Sequence, residues 1–187
     1  MTRIPVPATI ADAPEASRPL LLAVEKQLGS VPNMFRAIAA SPQALEGYLG
    51  MSGALGKGSL PAATRERIAL AVAEINGCNY CLSAHTYLGR NLAKLDDAEI
   101  TANRSGASND PTADAAVRFA ATVARQRGRI SDADFAAVKL AGYSDAQVIE
   151  IVQHVALNVW TNLFNNTFQT AIDFPVVEAR APANRAA

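Results

Sequence analysis

Aromatic residues make up only 6% of this 187-residue chain. Val, Ile, Tyr and Phe are sparse beside alanine, which supplies about a fifth of the residues. Alanine has the highest intrinsic helix propensity, and strands are built mainly from β-branched and aromatic residues, so an all-β fold is excluded. Net charge is also lacking: 17 Lys and Arg balance 17 Asp and Glu, with no basic cluster along the chain. Nucleic acid and anionic membranes are therefore poor partners. No apolar run reaches the roughly 18–20 residues of a spanning helix, and Met1–Pro14 has neither the basic block nor the apolar block of a signal peptide. The expectation is a cytoplasmic protein. Only two histidines and two cysteines are present, and no glycine-rich nucleotide loop.

Half of the residues are apolar, enough for one sizeable core. Pro5, Pro7, Pro14 and Pro19 crowd the start, so residues 1–14 are expected as an extended arm over the surface or over a neighbouring subunit. Residues 15–177 form one all-α domain, and 178–187 a flexible tail without periodicity. Ser41-Pro42 and Asp110-Pro111 each place a capping oxygen before a proline at a first helical position. Ser144-Asp145-Ala146-Gln147 has the pattern of a capping box at the head of the longest apolar-periodic run. Helices are predicted over 17–29, 32–40, 42–56, 61–76, 79–93, 96–104, 111–127, 131–141 and 144–172.

The chemistry is concentrated in one segment. The two cysteines, Cys78 and Cys81, stand two residues apart after Gly77, where one helix can stop and another begin. Cys81 then falls in a first helical turn, where unpaired N–H groups and the macrodipole stabilise a thiolate. At an ordinary pKa of ~8.5 a thiol is only about 3% ionised at pH 7, so lowering it raises the nucleophile's population directly. His85 lies four residues past Cys81 and seven past Cys78, on the same helical face, and can exchange a proton with either. Glu66, one helix earlier, is placed to hold His85 in one tautomer. Glu74, four before Cys78, is a second candidate carboxylate, and Tyr80, between the cysteines, is a possible auxiliary. Two Cys, one His and one Glu are also four possible zinc ligands, so redox chemistry, metal binding and plain packing all stay open on spacing alone. His154 is expected as a satisfied core or interface histidine. Trp160, Phe164 and Phe168, four apart, read as core or subunit interface.

Glu66, eleven residues, Cys78-x-x-Cys81, three residues, His85 resembles the signature of the AhpD-like alkylhydroperoxidases in the carboxymuconolactone decarboxylase superfamily. Flanking stretches extend the likeness to the peroxidase-related subgroup: Leu28–Arg36 with Ser41-Pro42, Arg65-Glu66-Arg67, Asn76-Gly77-Cys78, Ala84-His85, and Asn162–Thr167 followed by Phe174-Pro175. The resemblance implies an AhpD-like helical bundle of about eight or nine helices that assembles as a homo-oligomer, a trimer or hexamer. It implies a thiol peroxidase acting on alkyl hydroperoxides or hydrogen peroxide. Cys81 would attack, Cys78 would resolve the sulfenic acid to a disulfide, and His85 and Glu66 would relay protons. No bound cofactor or metal is implied; an external dithiol such as a lipoyl group, possibly on a lipoylated protein, would be the electron donor. Where the best-known relatives carry a histidine before the second cysteine, this chain has Tyr80, a phenol that is a poor base near pH 7. A general thiol-disulfide reductase, and a non-enzymatic redox-sensing or zinc-binding module, are the alternatives.

Overall fold

A computed structural model describes residues 2–180, and every secondary element among them is helical. Nine α-helices follow two short 3-10 turns, Ile10–Asp12 and Glu15–Ser17: α1 Arg18–Leu28, α2 Asn33–Ile38, α3 Pro42–Leu55, α4 Ala62–Ile75, α5 Asn79–Asn91, α6 Asp97–Arg104, α7 Pro111–Gln126, α8 Asp132–Leu140 and α9 Asp145–Phe168. The starts obey local chemistry. Ser41, Asp96, Asp110, Ser131 and Ser144 each accept a backbone N–H of the first turn through the side chain, and Ser131 and Ser144 close full capping boxes with Asp134 and Gln147. The sequence expectation for the last helix overran. Gln169 takes a left-handed conformation (φ 51°) and donates its N–H to the Asn165 carbonyl, so α9 stops at Phe168 rather than near 172.

Helix α4 is the axis of the fold. From Ile68 to Ala73 every residue is buried, because small alanines let α5, α6, α7 and α9 pack around it on all sides. Leu70 and Ala73 face one apolar cluster with Leu21, Ile38, Leu45, Leu82 and both cysteines. Ile68 and Val72 face another with Phe119, Val138, Ile151 and Val155. The cysteine pair thus sits within the first cluster.

Both ends of the described segment are tied to the body. Arg3 donates its backbone N–H to the Phe168 carbonyl (2.8 Å) and a guanidinium N–H to that of Thr167 (2.9 Å), laying the arm over the end of α9. After α9 the chain runs back along α5: Val177 N–H reaches Ser83 Oγ (2.9 Å), Ala179 N–H reaches Asn79 Oδ1 (2.9 Å) and Arg180 N–H reaches Glu74 Oε1 (2.7 Å). The remainder of the expected tail, 181–187, lies outside the described residues, as does Met1. No helix among the described residues is long and apolar enough to cross a membrane.

Candidate active site

The turn between α4 and α5 sets the site. Gly77 takes a positive φ of 61°, and Cys78 N–H returns to the Ala73 carbonyl (3.0 Å), closing the end of α4. Cys78 leaves in an extended conformation and becomes the N-cap of α5, its sulfur accepting the Cys81 backbone N–H at 3.3 Å. Both cysteines are free thiols and buried, Cys78 completely.

The two sulfurs are electrostatically unequal. Cys81 is lowered to about 6, first because the Cys78 thiol hydrogen-bonds to it. Burial opposes this, while the charge of His85 and the carboxamides of Asn165 and Asn162 reinforce it. Cys78 is pushed up by the same hydrogen bond, by burial and by the negative charge beside it. The pair therefore ionises at Cys81, with Cys78 holding the proton.

His85 follows one turn after Cys81. Its Nδ1 lies 2.8 Å from Glu66 Oε2 in the second turn of α4, and both side chains are about a fifth exposed, at 22% and 23%. A carboxylate can only accept, so Nδ1 donates and Nε2 is left for other chemistry. Burial alone would lower the imidazole's pKa, but the Glu66 charge, its hydrogen bond and the nearby Cys81 raise it overall. The negative charges of Cys81 and Glu66 both favour the protonated imidazole between α4 and α5.

The other sequence candidates are placed elsewhere. Glu74 pairs with Arg104 (2.6 Å) on α6 and accepts the Arg180 N–H, a structural clasp outside the cysteine site. Tyr80, 5% exposed, accepts the Met34 N–H (3.1 Å) and donates to Asp173 Oδ1 (2.9 Å), tying α2 and the C-terminal segment to α5. Burial raises its phenol pKa further, so it acts as a neutral latch. His154 is buried as expected but not satisfied: among the described residues its Nε2 has no partner, and burial with the charge of Arg65 lowers it to about 4. Among the described residues, no three His, Cys, Asp or Glu side chains converge to hold a metal ion.

Three contributors escaped sequence reasoning. Asn165 donates Nδ2 to Cys81 Sγ at 3.4 Å. Asn162 is fixed through Oδ1 by Asn76 Nδ2 (2.9 Å), and its buried amide nitrogen adds to the stabilisation of the same sulfur. Tyr48, on α3, is raised to about 12 by burial and by the charges of Cys81 and Glu66, which marks it as facing the site. A signal for the asparagines existed. Asn158, Asn162 and Asn165 are spaced i, i+4, i+7 on one face of α9, and all are buried. Aromatic rings wall this region: Phe35 against Tyr48 (5.7 Å), Tyr48 on Trp160 (5.5 Å), Trp160 on Phe164 (5.7 Å) and Phe164 against Phe168 (4.8 Å).

The fold recurs in known proteins. Residues 42–122, which include Glu66 and the cysteine turn, match the model of the carboxymuconolactone decarboxylase family. A peroxidase-related protein with an alkylhydroperoxidase AhpD core, from Ralstonia eutropha JMP134, superposes with a TM-score of 0.81 at 29% identity, covering 92% of each chain. A peroxidase-related protein from Silicibacter sp. TM1040 gives 0.78 at 26% identity, covering 91% of each. The debrominase Bmp8, solved with 2,3,4-tribromopyrrole, shares the fold at 20% identity, with a TM-score of 0.77 over 92% of this chain and 94% of its own. No curated protein matches the chain. By family model and by solved structures together, the chain matches the AhpD-like, peroxidase-related proteins of the carboxymuconolactone decarboxylase superfamily.

Proposed function

We propose that the protein is a thiol peroxidase that reduces alkyl hydroperoxides or hydrogen peroxide at Cys81. The observation that carries this reading is the split between the two sulfurs: a Cys81 thiol lowered to about 6 beside a Cys78 thiol pushed up. A peroxidase needs one sulfur ionised for attack and the other protonated in reserve.

In the first step the Cys81 thiolate attacks one peroxide oxygen and the O–O bond breaks. Sulfur keeps one oxygen as sulfenic acid, and the other leaves as an alcohol or water after taking a proton from His85, which Glu66 holds in place. Cys78 then attacks the sulfenic sulfur, expelling water and forming the Cys78–Cys81 disulfide. An external dithiol, such as a lipoyl group, returns both thiols and leaves as its own disulfide. Assembly as a homo-oligomer and a cytoplasmic location belong to the same reading.

Cumene hydroperoxide or hydrogen peroxide added to the reduced protein should form one intramolecular disulfide within minutes, and Cys81→Ser should abolish it. Two thiols still titratable after excess hydroperoxide would sink the reading. The superfamily fold also suits a general thiol-disulfide reductase; that alternative requires turnover of a disulfide substrate with no sulfenic acid trapped by dimedone.

A further inference from the structure

Two carboxamides on α9 act on the Cys81 sulfur, and they are not equally occupied. Asn165 donates Nδ2 to Cys81 Sγ at 3.4 Å. Asn162, about one turn earlier on the same face, is completely buried, and its Nδ2 has no hydrogen-bond partner among the described residues. Its influence on the sulfur is correspondingly smaller than that of Asn165. A buried donor without a bond is costly and calls for a reason.

The orientation of Asn162 is fixed from its other end. Asn76 Nδ2 donates to Asn162 Oδ1 at 2.9 Å, and an amide nitrogen can only donate. The reverse arrangement would set a carbonyl oxygen against a thiolate, two acceptors with no proton between them. Asn76 is itself held at the end of α4: its N–H returns to the Val72 carbonyl (3.1 Å), and its own carbonyl accepts Asn166 Nδ2 (3.0 Å). The helix end that leads into the cysteine turn therefore also aims the idle donor.

The resting sulfur takes its bond from Asn165, so Asn162 waits for a second acceptor. Peroxide chemistry brings one. The Cys81 thiolate takes one oxygen, the O–O bond breaks, and the other oxygen leaves with a proton from His85; sulfur loses two electrons and the peroxide gains them. The oxygen now on sulfur offers lone pairs, and a negative charge once its hydrogen ionises. A donor that is unbonded beforehand and bonded to the arriving oxygen favours the transition state without stabilising the reactant.

We propose that Asn162 Nδ2 is held in reserve for the oxygen that Cys81 takes from the hydroperoxide, and that Asn76 is the positioning residue that aims it. The proposal rests on the peroxidase reading, which supplies that oxygen.

Two rates are compared for the full reduced chain at pH 7.5: disulfide formation at limiting cumene hydroperoxide, and alkylation of Cys81 by iodoacetamide. Both need the thiolate, so their ratio does not depend on how much of it is present, and only the first delivers an oxygen. Asn162→Leu should lower the peroxide-to-iodoacetamide ratio by about tenfold, the worth of one hydrogen bond to a charged group. Asn162→Asp keeps the shape and an oxygen for Asn76 but has no N–H to give, and should lower the ratio at least as far. Asn76→Leu should lower it too, and Asn76→Leu combined with Asn162→Leu should be no lower than Asn162→Leu alone. A ratio unchanged in Asn162→Leu and Asn162→Asp overturns the proposal, and losses that multiply in the double variant remove Asn76 from it. Unaltered protein that keeps both thiols in excess hydroperoxide removes the peroxidase reading and this proposal together; a disulfide that forms at the same ratio in every variant removes this proposal alone.

Discussion

Cys78 Sγ accepts the backbone N–H of Cys81, so the sulfur expected to resolve the oxidised enzyme is also the N-cap of the helix that carries the expected nucleophile. One atom thereby orders the helix start and hydrogen-bonds to the thiolate beside it. Cys78→Ala removes both effects. The Cys81 pKa should rise from about 6 by roughly one unit or more, because its largest lowering influence is gone. Stability should fall by about 1 kcal/mol, the usual scale for a lost cap. Cys78→Ser keeps an acceptor and a donor and should stay near the wild type on both counts. Thiolate absorbance against pH and urea unfolding measure the two effects separately.

Glu66 and His85 make a prediction with a definite pH sign. The imidazole's pKa is raised in the folded protein, so its contribution to stability is complete below the unfolded value of about 6.5 and is lost as pH rises through the folded value. Glu66→Gln should therefore destabilise the protein most in mildly acidic solution, with the difference from wild type shrinking toward alkaline pH. Cys81, whose pKa is lowered, has the opposite sign: its contribution is full above the unfolded thiol's pKa and is lost as pH falls through about 6. Urea midpoints taken across pH 5–9 check both signs. Peroxide-driven disulfide formation should slow by about 10- to 100-fold in Glu66→Gln, because the imidazole loses the carboxylate charge that favours its protonated form.

Asn165, on α9, donates a hydrogen bond to the expected nucleophile. Asn165→Leu keeps the volume and deletes the donor to Cys81 Sγ, so the thiol's pKa should rise and alkylation by iodoacetamide at pH 6.5 should slow. Asn165→Asp places a carboxylate against the thiolate and should slow it further. Equal alkylation rates in all three proteins would mean that the 3.4 Å contact does not hold the thiolate.

Much of this was legible before any coordinates. The nine helices follow from capping oxygens, prolines at first helical positions and glycine stops, all of which act within a few residues and so can be read along the chain. Glu66, Cys78, Cys81 and His85 are close in sequence or one helix apart, and spacing placed them together. Tyr48 stands about thirty residues before the cysteine turn, and Asn162 and Asn165 stand more than eighty after it. Their approach depends on how α3 and α9 pack on α4, which no local rule encodes. The overrun of α9 has the same origin. Gln169 in a left-handed conformation is unfavourable by itself and is accompanied by the Arg3 contacts to the Thr167 and Phe168 carbonyls, from the other end of the chain. Tyr80 was read as a possible auxiliary because of its place between the cysteines, yet its partners are Met34 and Asp173.

The deepest ion pair away from the site governs the acid limit of the fold. Glu99 is 6% exposed, and burial alone would raise its carboxyl. Hydrogen bonds from Ser108, Asn103 (2.9 Å), the Asn109 N–H (2.7 Å) and Arg67 (2.6 Å) outweigh burial and hold it at about 2. The carboxylate ties α6 and the 105–110 loop to α4 through Arg67, the residue that follows Glu66. Its pKa is depressed, so its stabilisation is present above the unfolded value of about 4.3 and is lost as pH falls toward 2. Glu99→Gln leaves the buried Arg67 guanidinium only its longer contact to Asp110 (3.7 Å) and should cost about 3 kcal/mol at neutral pH. Replacing Glu99 and Arg67 together by Leu and Met removes the stranded charge as well, and should recover a large part of that loss. Thermal unfolding of the wild type, Glu99→Leu, Arg67→Met and the double variant at pH 7 and pH 3 gives the coupling, which should be smaller at pH 3 because protonation of the carboxyl begins to do what Glu99→Gln does.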